Sequence, residues 1–166
     1  LYTGIRIGEA CALRWEHIRL DSGILEVRET MQRIQVPQNM ASKTRIIITE
    51  PKSASSNRDI PLAQFLMQYA VQFQADRNAF VLTGEKNQFI EPRTLQNRFK
   101  NYVKTSGIEH ANYHALRHTF ATRCVELGFE IKSLSEILGH SNVNITLNKY
   151  VHSSFELKKK NMERLN

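Results

Sequence analysis

Cysteine is almost missing from this chain: 166 residues hold two, Cys11 and Cys124, and neither stands at metal-ligand spacing from the other. That excludes a disulfide framework and a cysteine-built zinc centre, and leaves two core thiols suited to a reducing cytoplasm. Glycine is sparse too, seven in all, and nowhere gathered into a loop that would cradle a nucleotide phosphate. No carboxylate cluster suggests a catalytic metal, and there is no internal repeat or low-complexity tract. No apolar run approaches the roughly 20 residues that cross a bilayer. The chain opens on Leu1 with no charged segment and apolar stretch behind it, so no secretory signal is expected and the sequence reads as a fragment.

Acidic residues are in deficit: 23 Lys and Arg face 16 Asp and Glu, for a net charge of +7 and a pI near 9.6. Such a balance favours a polyanionic partner such as nucleic acid, although charge alone is weak evidence. With 41% hydrophobic and 23% charged residues the composition is globular. The length suits one domain that buries roughly two thirds of its unfolded surface.

Thr3-Gly4-Ile5 leads into a helix predicted from about Arg6 to Trp15, with Ile7, Cys11 and Leu13 to Trp15 facing the core. Alternation from about Ile18 to Thr30 around Asp21-Ser22-Gly23 predicts a hairpin that begins a sheet. Arg33 to Ser42 is irregular, Thr44 to Thr49 is strand-like, and Glu50 to Asn57 reads as a flexible loop. That loop displays Lys52 near the mouth of a hairpin, ahead of a short strand at Arg58-Asp59-Ile60-Pro61-Leu62 and a helix through about Phe73. Phe80 to Thr83 reads as a short buried segment. Helices are expected from Pro92 to about Thr105, Tyr113 to Leu127, Ile131 to Leu138 and from Asn144 or Ile145, followed by a basic amphipathic tail from Phe155 to Leu165. The class is α+β, mainly helical with a small antiparallel β-sheet.

Six polar residues stand out. His114 and Arg117, three apart, share one helix face, and Tyr150 follows ten positions after His140. With Arg6 and Lys52 they suit a metal-free attack on a phosphodiester. Arg6 and Arg117 would clamp the non-bridging oxygens, because a guanidinium fork serves two oxygens and stays charged. Tyr150 would be the nucleophile, its phenolate favoured by nearby guanidiniums, with His114 as general base. Lys52 would protonate the leaving hydroxyl and His140 would hydrogen-bond the phosphate.

Each residue alone has a plainer reading. Arg6 suits a surface ion pair, Lys52 a solvated loop, His140 a helix cap and Tyr150 a half-buried packing position. His114 and His118, four apart, have the spacing of a zinc pair, but Ala115 stands where that motif needs its glutamate, and His118 reads better as a partly buried hydrogen-bonding residue. The coincidence of all six in one chain favours the phosphodiester reading.

Taken together, Thr3-Gly4-Ile5-Arg6-Ile7-Gly8-Glu9, Lys52 ahead of Arg58-Asp59-Ile60-Pro61-Leu62, His114-Ala115-Leu116-Arg117-His118, Leu138-Gly139-His140-Ser141 and Tyr150 resemble the catalytic domain of the tyrosine recombinases, the phage and transposon integrases among them. The resemblance spans nearly the whole chain and implies that fold over residues 1–166. It implies a site-specific recombinase that cleaves and rejoins double-stranded DNA through a 3′-phosphotyrosine, with no metal or nucleotide cofactor. Glu9 would brace the site, and Lys43 rivals Lys52 as the loop lysine. Relatives generally carry a helical DNA-binding domain upstream, so weak, salt-sensitive DNA binding and poor or no recombination are expected of this piece alone. The tail from Phe155 to Leu165 resembles the segment that relatives dock on a neighbouring subunit, implying a tetramer on DNA, in the bacterial cytoplasm at the nucleoid. A type IB topoisomerase-like enzyme, a non-catalytic DNA-binding relative and a zinc hydrolase remain as alternatives.

Overall fold

The computed structural model describes residues 1–36, 43–109 and 111–151, with residues 159, 162 and 163. Its order is α1 (Ile7–Ala12), β1 (Ile18–Arg19), β2 (Ile24–Val27), β3 (Thr30–Gln35), β4 (Thr44–Thr49), β5 (Arg58–Pro61), α2 (Gln64–Val71), α3 (Pro92–Thr105), α4 (Tyr113–Glu126), α5 (Ile131–Leu138) and α6 (Val143–Tyr150). The class is α+β with helices in the majority, as the sequence indicated.

Two small antiparallel sheets replace the single sheet expected. β1, β2 and β5 form one, with Ile18 opposite Leu25 and Leu25 opposite Ile60; β3 and β4 form a separate hairpin, with Met31 opposite Ile48. The first part of the segment read as irregular, Arg33 to Gln35, belongs to β3, while residues 37–42 lie outside the described ones. In β3 the alternation puts only Met31 deep inside and leaves Arg33 and Gln35 exposed, which is why the run gave no strand signal. Lys52 stands beyond β4 at the open end of the β3–β4 hairpin, where the chain crosses to the other sheet.

The first helix is shorter than its apolar pattern suggested. It ends at Ala12, because Leu13 turns to an extended conformation and the chain then pairs with residues 79–81. The Trp15 amide donates to Ala79 O at 3.0 Å and the Val81 amide to Leu13 O at 2.9 Å. These long-range bonds satisfy groups that another helical turn would otherwise have used. Of the segment Phe80 to Thr83, only Phe80 is buried; the rest is a surface turn.

The other helices follow their local signals. Pro92 occupies the first turn of α3, the Asn112 side chain caps α4, and α5 stops at Gly139. Three apolar clusters hold the layers. Cys11, Ala12, Met31 and Phe80 join α1 to the hairpin; Leu25, Val27 and Ile60 with Ile137 seat α5 on the larger sheet; Ala121, Cys124, Leu134, Leu138 and Tyr150 join α4, α5 and α6. The last two clusters meet at the C-terminal end of α5. Among the described residues no helix is long and apolar enough to cross a membrane.

Candidate active site

The end of α5 gathers the two arginines. Gly139 takes φ 66°, a left-handed conformation that stops the helix and turns the carbonyls of Leu138 and Gly139 outward. Arg6, at the entrance to α1, donates from Nη2 to Gly139 O at 2.8 Å; Arg117, midway along α4, donates from Nη2 to Leu138 O at 2.5 Å. Two guanidinium groups that are far apart in sequence therefore sit on consecutive carbonyls. Arg117 also donates from Nη1 to Gly4 O at 2.6 Å, which ties it to the segment leading into Arg6. Gly4 has φ 62° and lies so close to Phe120 that a Cβ would come within 2.5 Å of its ring, so this approach needs glycine.

The two arginines differ in access. Arg117 is 3% exposed, whereas the Arg6 side chain is 37% exposed. Burial and the adjacent Arg6 charge bring Arg117 down to about 10, with Glu9 acting in the opposite direction. It is still a cation at neutral pH.

Beneath them lies Glu9, 4% exposed and shared between two guanidiniums. Its carboxylate accepts from Arg6 Nη1 at 2.8 Å, from the Arg6 amide at 2.7 Å, and from Arg58 Nη1 and Nη2 at 3.0 and 2.9 Å. Burial pushes the Glu9 carboxyl up, but the bonds and charge of Arg58, joined by Arg6, outweigh it and hold the group below the usual carboxylate range. Arg58 went unnoticed as a site residue in the sequence. It occupies an inward position of β5, in step with Ile60, and further donates to Ile137 O at 2.6 Å and Ser56 O at 3.0 Å. An arginine in phase with the buried residues of a short strand was the available signal.

His140 lies against this cluster. Arg117 Nη2 is 3.1 Å from its Nε2, and Thr146 Oγ1 is 2.8 Å from its Nδ1. An arginine can only donate, so Nε2 is the acceptor and the ring proton sits on Nδ1, directed at Thr146. Burial, followed by the charges of Arg117, Arg6, Lys149 and Arg58, lowers His140 to about 4. The ring is neutral. Thr146, fully buried in α6, had no signal in the sequence.

Tyr150 ends α6 with its ring among Ala121, Cys124, Leu134 and Leu138, and it is 7% exposed, more buried than the half-buried packing position of its plainer reading. Its hydroxyl is not lost in that interior, because it lies 3.0 Å from His118 Nδ1, next in sequence to Arg117. Burial raises the phenol above its ordinary value and outweighs the opposing influence of Arg117, contrary to the expectation that guanidiniums would favour the phenolate. His114 is exposed and meets His118 edge to face, ring centroids 4.6 Å apart. Partial loss of hydration beside the protein surface lowers its pKa, helped by His118, Lys149, Arg117 and Arg6.

The structure thus brings five of the six candidates, Arg6, His114, Arg117, His140 and Tyr150, into one field of charge. Lys52 is exposed, and among the described residues it makes no hydrogen bond or ion pair to any of them. Lys43 is exposed as well. The tail from Phe155 to Leu165 falls mostly outside the described residues. Arg6, Arg58 and Arg117 against one buried Glu9 leave the site with excess positive charge, the electrostatic complement of a phosphodiester.

Comparison with known proteins shows the family and the fold. The chain is 29% identical over 181 residues to a tyrosine recombinase XerC-like protein of Caldanaerobacter subterraneus subsp. tengcongensis, with 99% of this chain and 46% of that protein covered. It superposes on the Tn1549 transposon integrase, solved in complex with circular intermediate DNA, with a TM-score of 0.77 and 29% identity, covering 99% of this chain and 56% of that one. The crystal structure of XerA recombinase shares the fold, with a TM-score of 0.65 at 22% identity over 99% of this chain and 54% of that one. The chain spans about half the length of the curated relatives it matches. The model of the phage integrase family matches residues 1–156. This chain belongs to that family, the tyrosine recombinases, and has the fold of their catalytic domains.

Proposed function

We propose that this chain is the catalytic part of a site-specific DNA recombinase, acting on double-stranded DNA through a covalent 3′-phosphotyrosine. The observation that carries the reading is the seating of Arg6 and Arg117 on the consecutive carbonyls of Leu138 and Gly139, with the Tyr150 hydroxyl bonded to the residue next to Arg117. A phosphate entering at the exposed side of Arg6 meets two cations and His140 within one pocket of charge.

Chemistry follows from those positions. The Tyr150 oxygen attacks phosphorus, the P–O5′ bond breaks, and the leaving oxygen takes a proton from Lys52, whose loop closes over the DNA. Arg6 and Arg117 neutralise the charge that gathers on the non-bridging oxygens, and His140, whose ring nitrogens are engaged by Arg117 and Thr146, holds Arg117 in position for that task. The ester retains the bond energy, so a second 5′ hydroxyl restores the diester without metal or nucleotide. DNA-bound relatives and the net charge of +7 support the polyanionic partner. Assembly as a tetramer through residues 155–165, and action at the bacterial nucleoid, complete the reading, supported by the sequence resemblance.

The test uses nicked duplexes with randomised sequence around the nick, so that a cut near it releases a short fragment and traps protein on DNA. Wild type is expected to yield a denaturation-resistant adduct and Tyr150→Phe none, with DNA binding retained. No adduct from wild type, or an undiminished one from Tyr150→Phe, overturns the proposal.

A further inference from the structure

The hydroxyl of Tyr150 is hydrogen-bonded to a histidine other than the one its sequence motif offers. His118 Nδ1 lies 3.0 Å from it, whereas His114 sits one helical turn earlier and touches only the His118 ring among these three, edge to face at 87°. We propose that His118 is a catalytic residue, which accepts the phenolic proton as Tyr150 attacks phosphorus and returns it when the strand is rejoined. This rests on the recombinase reading above.

Three observations support it. First, the contact is direct, and a general base must lie within hydrogen-bond reach of the proton it takes. The phenol is the better donor, so it gives its hydrogen to Nδ1 and leaves the ring proton on Nε2. Second, both partners are held in place. The Tyr150 ring is packed between α4 and α5, and the His118 ring is fixed between His114 at 4.6 Å and Tyr150 at 5.6 Å, centroid to centroid. Third, burial, with the surrounding charge, keeps His118 unprotonated. Lys149 and Tyr150 face it from α6, His114 and Arg117 from its own helix, and after burial it is Lys149 and Arg117 that lower its pKa. The lone pair is therefore free at neutral pH.

The step balances. The Tyr150 O–H bond breaks and its proton goes to His118 Nδ1; the phenolic oxygen forms a bond to phosphorus; the P–O5′ bond breaks, and the departing oxygen is protonated from Lys52. In the reverse half, the incoming 5′ hydroxyl gives its proton to Lys52 as its oxygen bonds to phosphorus, the P–O bond to the tyrosine breaks, and the phenolic oxygen recovers the proton from His118. Because His118 adjoins Arg117 on α4, proton acceptor and phosphate clamp move as one piece.

A packing role for His118 would stabilise the fold without shaping the pH profile, so the readout is that profile. Single-turnover cleavage of a duplex recovered from the adduct selection is measured for wild type, His118→Gln, His118→Ala and His114→Gln. His118→Gln is expected to slow cleavage about 100-fold and to remove the acidic limb of the rate profile, with added imidazole partly restoring His118→Ala. His114→Gln keeps that limb, whatever its rate. Sulfur in place of the bridging 5′ oxygen, a leaving group that needs no proton, rescues Lys52→Ala and not His118→Gln. Should His118→Gln cleave at the wild-type rate with its acidic limb intact, or recover fully with the sulfur substrate, the assignment is wrong. The Tyr150→Phe adduct assay fails separately if the recombinase reading is wrong. Nitrogen NMR of the DNA-free protein gives a second check that does not depend on variants folding. His118 Nδ1 is expected to be an unprotonated acceptor at neutral pH, and a protonated Nδ1 overturns the proposal.

Discussion

Arg58 and Glu9 form a two-point ion pair inside the protein, with contacts of 3.0 and 2.9 Å and side chains 6% and 4% exposed. The pair links β5 to α1, and through Ile137 O to α5, so the platform under Arg6 is fixed by electrostatics as well as by packing. Two charges at that depth are tolerated only because each completes the other's hydrogen bonding.

Glu9→Gln therefore leaves Arg58 buried without its counter-charge and frees one side of Arg6. Equilibrium unfolding in urea should show a loss of about 3–5 kcal/mol, far more than a neutral surface exchange.

His140 makes stability depend on pH. Its folded value of about 4 lies below the ordinary 6.5, so between these limits the unfolded chain binds the proton more readily. The contribution is complete above about 6.5 and is lost as pH falls toward about 4. Melting temperatures over that window should decline less steeply for His140→Gln than for wild type, and the His140 ring protons should titrate well below those of an exposed histidine.

Gly139 and Gly128 offer an internal comparison. Both have positive φ, 66° and 78°, and alanine at either costs about 1–2 kcal/mol for the left-handed backbone. At Gly128 a Cβ meets nothing within 4 Å, whereas at Gly139 it lies 2.9 Å from Arg58 Nη1 and 3.0 Å from Ser55 O. Gly139→Ala should cost on the order of 3 kcal/mol more than Gly128→Ala, because moving Arg58 breaks its ion pair. Equal losses by thermal denaturation would show that Arg58 yields freely.

Arg117→Lys keeps the charge and loses the fork. One ammonium cannot serve Gly4 O, Leu138 O and His140 together, and a buried carbonyl left alone costs about 1–3 kcal/mol. Adduct formation should fall about 100- to 1,000-fold in single-turnover assays, with DNA binding much less affected.

What could be read in advance was local. Pro92, Gly139 and the β-branched run Thr44 to Thr49 marked α3, α5 and β4 to the residue, since first-turn prolines, left-handed stops and branched strands act over a few positions. The end of α1 was not legible, because pairing with residues 79–81 overrides its apolar pattern. Nor was β3, whose partner strand decides it. In the site, motif spacing brought out Arg6, Arg117, His140 and Tyr150, but Arg58, Thr146 and the His118 contact depend on where strands and helices come to rest against one another. The fall in the phenol's pKa expected from nearby cations was reversed by burial, which no spacing reveals.

Besides Glu9 and His140, the acceptors for the two guanidiniums are peptide oxygens, those of Gly4, Leu138 and Gly139. A side-chain exchange cannot delete a main-chain oxygen; it can only shift the path of the backbone that presents it. A cradle built this way lets most neighbouring positions drift while the charges stay in place. The price of that tolerance falls on a few glycines, and a chain that shares only 29% identity with a relative can still keep the same backbone trace.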